Sequence, residues 1–269
     1  MASHAAFVFC EGTTSWEAIR AEATQEVSKE PLLGDFFNAR VLNRASLEDA
    51  LSFGLSQRLA CGALPFDRLR EIFDAAYADE SALSVAACKD LEAVRDRDPA
   101  TSRISDALLY LKGFQALQGY RVAHWLWNQQ RESIALVLQS QISLEFGVDI
   151  HPAARLGAGI MFDHATSIVI GETAVIDDDV SILHEVTLGG TGKQVGQRHP
   201  KIRRGVLIGA GAKLLGNIEV GAFAKIGAGS VVLDDVPAGV TVAGVPAVVV
   251  GTTDGSQPAL DMDHRLPTQ

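Results

Sequence analysis

Aromatic residues are scarce in this 269-residue chain, at 6%, and cysteine occurs only three times. So few rings exclude a core built on large aromatic side chains and suit a thin interior filled by Ile, Val and Ala, for which a hydrophobic fraction of 47% is ample. Cys10, Cys61 and Cys88 are scattered without Cys-x-x-Cys spacing, which supports neither a disulfide framework nor a zinc site. Positive charge is also short: 23 Lys and Arg stand against 33 Asp and Glu. The net charge of −10 argues against a nucleic-acid partner on long-range electrostatics. No apolar run approaches the length of a membrane span, and the N-terminus lacks a basic-then-apolar signal. A cytoplasmic protein of one or two domains, without membrane or nucleic acid, is expected.

What the chain does have is a count in sixes from Ile150 to about Val250. Ile150, Leu156, Phe162 and Ile168 are large apolar residues six apart; after a two-residue slip the count resumes at Ile170, Ile176, Ile182 and Leu188. It runs again through Ile202, Ile208, Leu214, Val220, Ile226 and Val232. Gly or Asp often follows the anchor, and a small or β-branched residue such as Ala154, Ala174, Val186 or Ala224 lies four places beyond it. A fixed six-residue period is the mark of a parallel β-helix, in which each hexad supplies one short strand and one corner. The large aliphatic points inward, the small residue fits beside it, and the Gly or Asp tolerates the turn. Three hexads close a coil of about 18 residues, stacked about 4.8 Å from the next. A left-handed coil is expected, as in the known hexapeptide families, against the usual crossover rule.

Residues 1–146 carry a helical period. Thr14 with Glu17 reads as a capping box opening a helix that stops before Pro31, and Leu32 to Asn43 reads as a second helix. Ser46 with Asp49 opens a third, Pro65 can begin a fourth, and Ser81 to about Asp96 is another. A long apolar pattern follows from Ser105 to Trp127, then one face of Ile134, Val137, Leu138 and Ile142. The fold class expected is α+β: an all-α N-terminal domain, residues 1–146, followed by a left-handed parallel β-helix over 147–251. Its apolar surface exceeds what one small bundle needs, so part of it is expected to meet another subunit. Residues 252–269 are polar and Pro-containing, and read as a flexible tail.

The β-helix is interrupted once. Leu188 and Ile202 are fourteen residues apart rather than twelve, and G-G-T-G-K-Q-V-G-Q-R-H-P-K between them describes an extruded loop over about 189–201. Its G-G-T-G-K run is not a P-loop, because the Walker pattern needs Gly at 187, where Thr stands. His151, His164, His184 and His199 fall in the repeat region. His164 follows Asp163 at a corner, where a side chain points outward, and His199 sits beside Arg198 in the loop. Asp149 precedes His164 by about one coil, and a carboxylate holding one ring nitrogen leaves the other to act as a base. On the residues alone, a metal-dependent hexapeptide enzyme of the γ-carbonic anhydrase type, with zinc held by His164, His184 and His199, and a non-enzymatic scaffold remain alternatives.

Longer words decide between them. R-D-P-A (97–100), L-L-Y-L-K-G-F-Q-A-L-Q-G-Y-R (108–121), H-W-L-W-N-Q (124–129) and D-I-H-P-A-A (149–154) are joined by D-H-A-T (163–166), G-E-T-A-V-I (171–176), V-T-L-G-G-T-G-K (186–193), R-H-P-K-I (198–202) and G-N-I-E-V-G (216–221). Together they resemble the serine O-acetyltransferases over about residues 14–251, joining the helical half to the hexapeptide half; other hexapeptide acyltransferases lack the helical domain. The resemblance implies acetyl transfer from acetyl-CoA to L-serine in cysteine biosynthesis, with L-cysteine as feedback inhibitor and no metal. His164 matches the catalytic base, Asp149 the carboxylate that orients it, and His199 a second active-site histidine. Arg198 matches the cation for the substrate carboxylate, Asp98 and Asp163 the pair for its ammonium, and Glu172 lies in the same site. Coenzyme A would lie between two β-helices of a trimer, along Gly190, Thr191, Ala210 and Ala228, with Lys193, Lys213 and Lys225 as candidates for its phosphates. The helical half would join two trimers into a hexamer. Many relatives end in an isoleucine that inserts into O-acetylserine sulfhydrylase; Pro267 and the polar Gln269 lead us to expect weak or no such complex.

Overall fold

The apolar periodicity of the N-terminal half resolves into helices whose faces feed two packed clusters. The structure, a computed structural model, describes residues 13–192, 195–253 and 255–266. Cys10, Lys193 and the terminal Gln269, and the expectations attached to them, lie outside the described residues. α1 covers Thr13–Lys29 and ends before Pro31, which could not continue it. The helix expected over Leu32–Asn43 is three pieces instead: a 3-10 turn Pro31–Leu33, α2 (Gly34–Phe37) and a π-helical turn Asn38–Leu42. Ser46 caps α3 (Leu47–Leu59) by accepting from the Asp49 N–H at 3.3 Å, while the Asp49 carboxylate accepts from Ala45 N–H at 2.7 Å. α4 is Phe66–Asp79 and α5 is Ser81–Arg97.

The long apolar pattern from Ser105 to Trp127 is divided at Tyr110 and Leu111 into α6 (Ile104–Leu109) and α7 (Lys112–Asn128). The break has a packing reason. α6 buries Ile104, Leu108 and Leu109 in a cluster with Ile19, Phe37 and Leu91, whereas α7 buries Leu117, Tyr120 and Leu126 in a second cluster. α8 (Glu132–Phe146) adds Leu138, Ile142 and Phe146 to that second cluster, which then continues through Ile150, Phe162 and Ile168 into the β-helix. Much of the surplus apolar surface of the helices thus covers the first coil, whose interior would otherwise open to water. Leu32 and Leu144 stay exposed, at 91% and 77%. α8 ends at Gly147, whose φ of +67° places it in the left-handed region that closes a helix, and the first strand begins at once.

A buried charge locks the two halves. Asp90 on α5 is fully buried and accepts from Arg121 Nε (2.9 Å) and Nη2 (2.7 Å), from Gln118 Nε2 (2.9 Å), and from the Ile160 backbone N–H (2.9 Å). Arg121 also donates to Gly157 O at 2.8 Å. The carboxylate and its arginine therefore tie α5 and α7 to the second corner of the β-helix, 157–160.

The hexads form three parallel faces. The first holds Val148–Ile150, Ile168–Ile170, Thr187–Gly189, Lys213–Leu215 and Val231–Val232; the second Arg155–Leu156, Val175–Ile176, Lys201–Ile202 and Glu219–Val220. The third holds Met161–Phe162, Ser181–Ile182, Leu207–Ile208, Lys225–Ile226, Val240–Gly244 and, antiparallel at its end, Ala247–Thr252. Register explains both irregularities of the count. Ile150 pairs with Ile170, a coil of 20 residues, while Ile170 pairs with Leu188, a coil of 18. The two additional residues swell the corner 163–167, where His164, Ala165 and Ser167 all have positive φ. Ile182 pairs with Ile208, a coil of 26. The gap of fourteen is therefore one hexad plus eight residues of loop, not two hexads plus two.

Residues 255–266, expected as a loose tail, pack back on the third face. α9 (Pro258–Asp261) buries Pro258 and Ala259, Ser181 Oγ donates to Ala259 O at 2.7 Å, and Lys225 Nζ donates to Arg265 O. The polar composition concealed two small apolar residues that fit beside Ser181. Among the described residues no helix is long and apolar enough to cross a membrane.

Candidate active site

Two edges of the prism, one on each side of the first face, collect the reactive side chains. The edge between the third and first faces carries the corners 163–167, 183–186, 209–212 and 227–230. Asp163 and His164 stand on the widest of these, with the His164 side chain 76% exposed and its Nε2 3.8 Å from Asp163 Oδ1. The His184 ring meets that of His164 edge-on, with centroids 5.8 Å apart. Ala210 and Ala228 continue the same edge, joined by Gly229 N–H donating to Ala210 O at 2.8 Å. The result is a row of two imidazoles followed by small residues, open to solvent on one side.

The edge between the first and second faces carries His151, Glu172, Thr173 and the base of the extruded loop. Arg198 Nη2 pairs with Glu172, and this hydrogen bond is the main reason the carboxyl lies below its ordinary range. His199 is nearly buried, at 7% exposed, and burial first, then the Arg198 charge, pushes its imidazole below the ordinary value. Burial also lowers His151, packed edge-on against Trp127 at 5.1 Å, against the opposing pull of Glu172 and Asp149. Gly190 lies against Arg198 at the foot of the loop, and Thr191 reaches toward Gly216. This edge offers one cation paired with one carboxylate, beside a nearly buried imidazole.

Several of the expected site residues take other hydrogen-bond partners within the single chain. Asp149 projects from the first face beside Val169 and accepts from Gln139 Nε2 at 2.7 Å; among the described residues it makes no hydrogen bond to His164. The carboxylate that approaches His164 within 4 Å among the described residues is Asp163. Asp98 ends α5, where its carboxylate accepts from Ala100 N–H at 2.8 Å and Thr101 Oγ1 at 2.6 Å. Lys225 is 8% exposed on the third face with its ammonium engaged by Arg265 O, away from the edge of Ala210 and Ala228. Lys213 Nζ donates to Glu185 O on that edge. No three His, Cys, Asp or Glu side chains among the described residues converge as a metal would need. The sequence reading assigned nothing to Gly171 and Thr173. A Cβ on Gly171 would overlap the His199 ring, and Thr173 Oγ1 accepts from the Arg198 N–H (3.0 Å) and the His199 N–H (3.2 Å). G-E-T-A-V-I was visible as a word, but its period gave these two residues only a corner.

Known proteins carry the same arrangement. The profile "Serine acetyltransferase, N-terminal" matches residues 15–119, and "Bacterial transferase hexapeptide (six repeats)" matches residues 199–234. The serine acetyltransferase of Escherichia coli strain K12 is 57% identical over 251 residues, 93% of this chain and 92% of that one. A solved serine acetyltransferase in complex with cysteine superposes with a TM-score of 0.92 at 55% identity, covering 94% of this chain and 98% of that one. The enzyme of Brucella abortus strain S19 in complex with coenzyme A gives 0.89 at 55% identity, covering 90% and 97%. The chain belongs to the serine acetyltransferase family.

Proposed function

We propose that this protein transfers the acetyl group of acetyl-CoA to the hydroxyl of L-serine, giving O-acetyl-L-serine and coenzyme A, and is inhibited by L-cysteine. The observation that carries this reading is the 57% identity running unbroken through both the helical half and the loop-bearing edge. His164, outward on its corner, takes the proton of the serine hydroxyl as the oxygen attacks the thioester carbonyl. Collapse of the tetrahedral intermediate breaks the C–S bond, and the departing thiolate receives a proton to leave as the thiol. Arg198 and His199 hold the substrate carboxylate, and Asp163 with Asp98 receives its ammonium. The pantetheine arm runs along Gly190, Thr191, Ala210 and Ala228, where small residues permit close approach.

The base and the carboxylate receptor stand on different edges of one prism, so the site is complete only where one chain's His164 edge meets another chain's His199 edge. A trimer satisfies this with three identical contacts. The exposed Leu32 and Leu144 of the helical half then suit the pairing of two trimers. L-Cysteine differs from L-serine only in sulfur for oxygen, so the same zwitterion contacts hold it, and a relative was solved with cysteine bound. Thiol release from acetyl-CoA with L-serine, compared against sugars and other amino acids, tests the reading: no serine-dependent release would overturn it.

A further inference from the structure

The hydrogen-bond inventory around Thr173 determines which nitrogen of His199 carries the proton. A threonine hydroxyl offers one donor and two acceptor lone pairs. Both lone pairs of Thr173 Oγ1 are taken, by the backbone N–H groups of Arg198 at 3.0 Å and His199 at 3.2 Å. Its single proton is left to point at His199 Nδ1, 2.9 Å away. The Thr173 backbone N–H, which can only donate, also aims at Nδ1, at 3.1 Å. Two donors converge on one nitrogen, so Nδ1 must be an unprotonated acceptor. Its protonation would replace both bonds by repulsion between hydrogens.

Other contacts keep the ring there. Its Cδ2–Nε2 side lies against the Cα of Gly171, where any side chain would overlap it. Lys201 Nζ clamps the same turn by donating to Thr173 O at 2.7 Å and His199 O at 2.9 Å. Nε2 itself makes no hydrogen bond among the described residues and is not sealed from solvent. We propose that Thr173 is a positioning residue that holds His199 as the neutral Nε2–H tautomer, so that His199 serves as a fixed hydrogen-bond donor to the substrate carboxylate and not as a second base. This rests on the serine acetyltransferase reading for its substrate, and on the hydrogen bonds alone for its tautomer.

Neutron diffraction from deuterated crystals of the full chain tests the tautomer directly, with or without turnover, so the two readings fail separately. Deuterium on His199 Nε2 and none on Nδ1 is expected; deuterium on Nδ1 overturns the proposal. Kinetics test the consequence. Thr173→Val removes the hydroxyl while keeping the shape, frees the ring to turn, and is expected to raise the serine KM about tenfold, the loss of roughly one hydrogen bond to a charged group, with kcat within about twofold. Thr173→Ser restores the hydroxyl and is expected to restore the KM. A fall in kcat at unchanged KM, or a Thr173→Ser variant as impaired as Thr173→Val, would overturn the role assigned to Thr173.

Discussion

His164, the base in the proposed reaction, presents one exposed ring from a backbone φ of +56°, a conformation held by the widened corner rather than by the residue's own preference. Removing the imidazole while keeping the corner isolates its function: His164→Ala is expected to lose at least about a hundredfold in kcat with little change in serine KM, as steady-state rates would show. The opposite edge governs pH dependence. Burial lowers the pKa of His151 and His199 from the ordinary 6.5, so the folded chain binds fewer protons there than the unfolded chain. Their contribution to stability is complete above that value and is lost as the pH falls through it toward the folded values. Glu172, lowered from 4.5 by Arg198, acts likewise at lower pH: its contribution is present above 4.5 and lost as the pH falls to its folded value. Thermal melts between about pH 7 and 3 are expected to fall in two stages, with His199→Gln weakening the first and Glu172→Gln the second. A melting temperature independent of pH in that range would contradict both shifts.

At the scale of elements, the corners matter more than the strands. Aliphatic anchors six apart suffice to stack the coils, whereas function sits where the count fails: two extra residues at 163–167 and eight at the loop. Both failures were legible as breaks in spacing. The slip of two was legible in its size as well; the eight residues of the loop were not, because spacing along one chain does not say which residue lies beside which in the next coil. Gly171 shows what a corner must tolerate. Gly171→Ala would drive a methyl into the His199 ring, and is expected to raise the serine KM with a smaller effect on melting temperature, measured on the same preparation. Where α5 and α7 meet the first coil, Asp90→Ala leaves Arg121 buried without its carboxylate, a loss of about 3–5 kcal/mol of stability by chemical denaturation. Neither Asp90 nor Arg121 stood out in the sequence, since a buried ion pair is drawn from residues far apart along the chain.

The whole molecule is an assembly problem. In the proposed reaction neither edge alone is a site, and the first face lies between them within the chain. Co-expressing His164→Ala and His199→Gln chains tests whether neighbours supply the two halves. Randomly mixed trimers place an intact His164 against an intact His199 at about a quarter of their interfaces, so kcat/KM for serine is expected to return to about a quarter of that of the unsubstituted protein. A site completed within one chain would yield no recovery above the sum of the two variants. Light scattering of the full chain is expected to report a trimer or a pair of trimers; an active monomer would rule out sharing.

Sequence alone determined the architecture, because a six-residue period of aliphatic anchors has few ways to bury itself, and a helical period before it has only the open end of that coil to cover. It also determined the cast of polar groups, His164, Arg198, His199, Asp163 and Glu172, since these words recur together in one family. Tertiary structure decided their relations. Stacking register, not sequence distance, set Asp149 beside Val169 and toward Gln139, left His164 with Asp163, and turned Lys225 under residues 255–266. It alone brought Thr173 beneath His199, 26 residues away along the chain but one coil away in space. The physical reason is the same in each case: the apolar interior fixes how the coils stack, and the outward side chains take the partners that stacking assigns them.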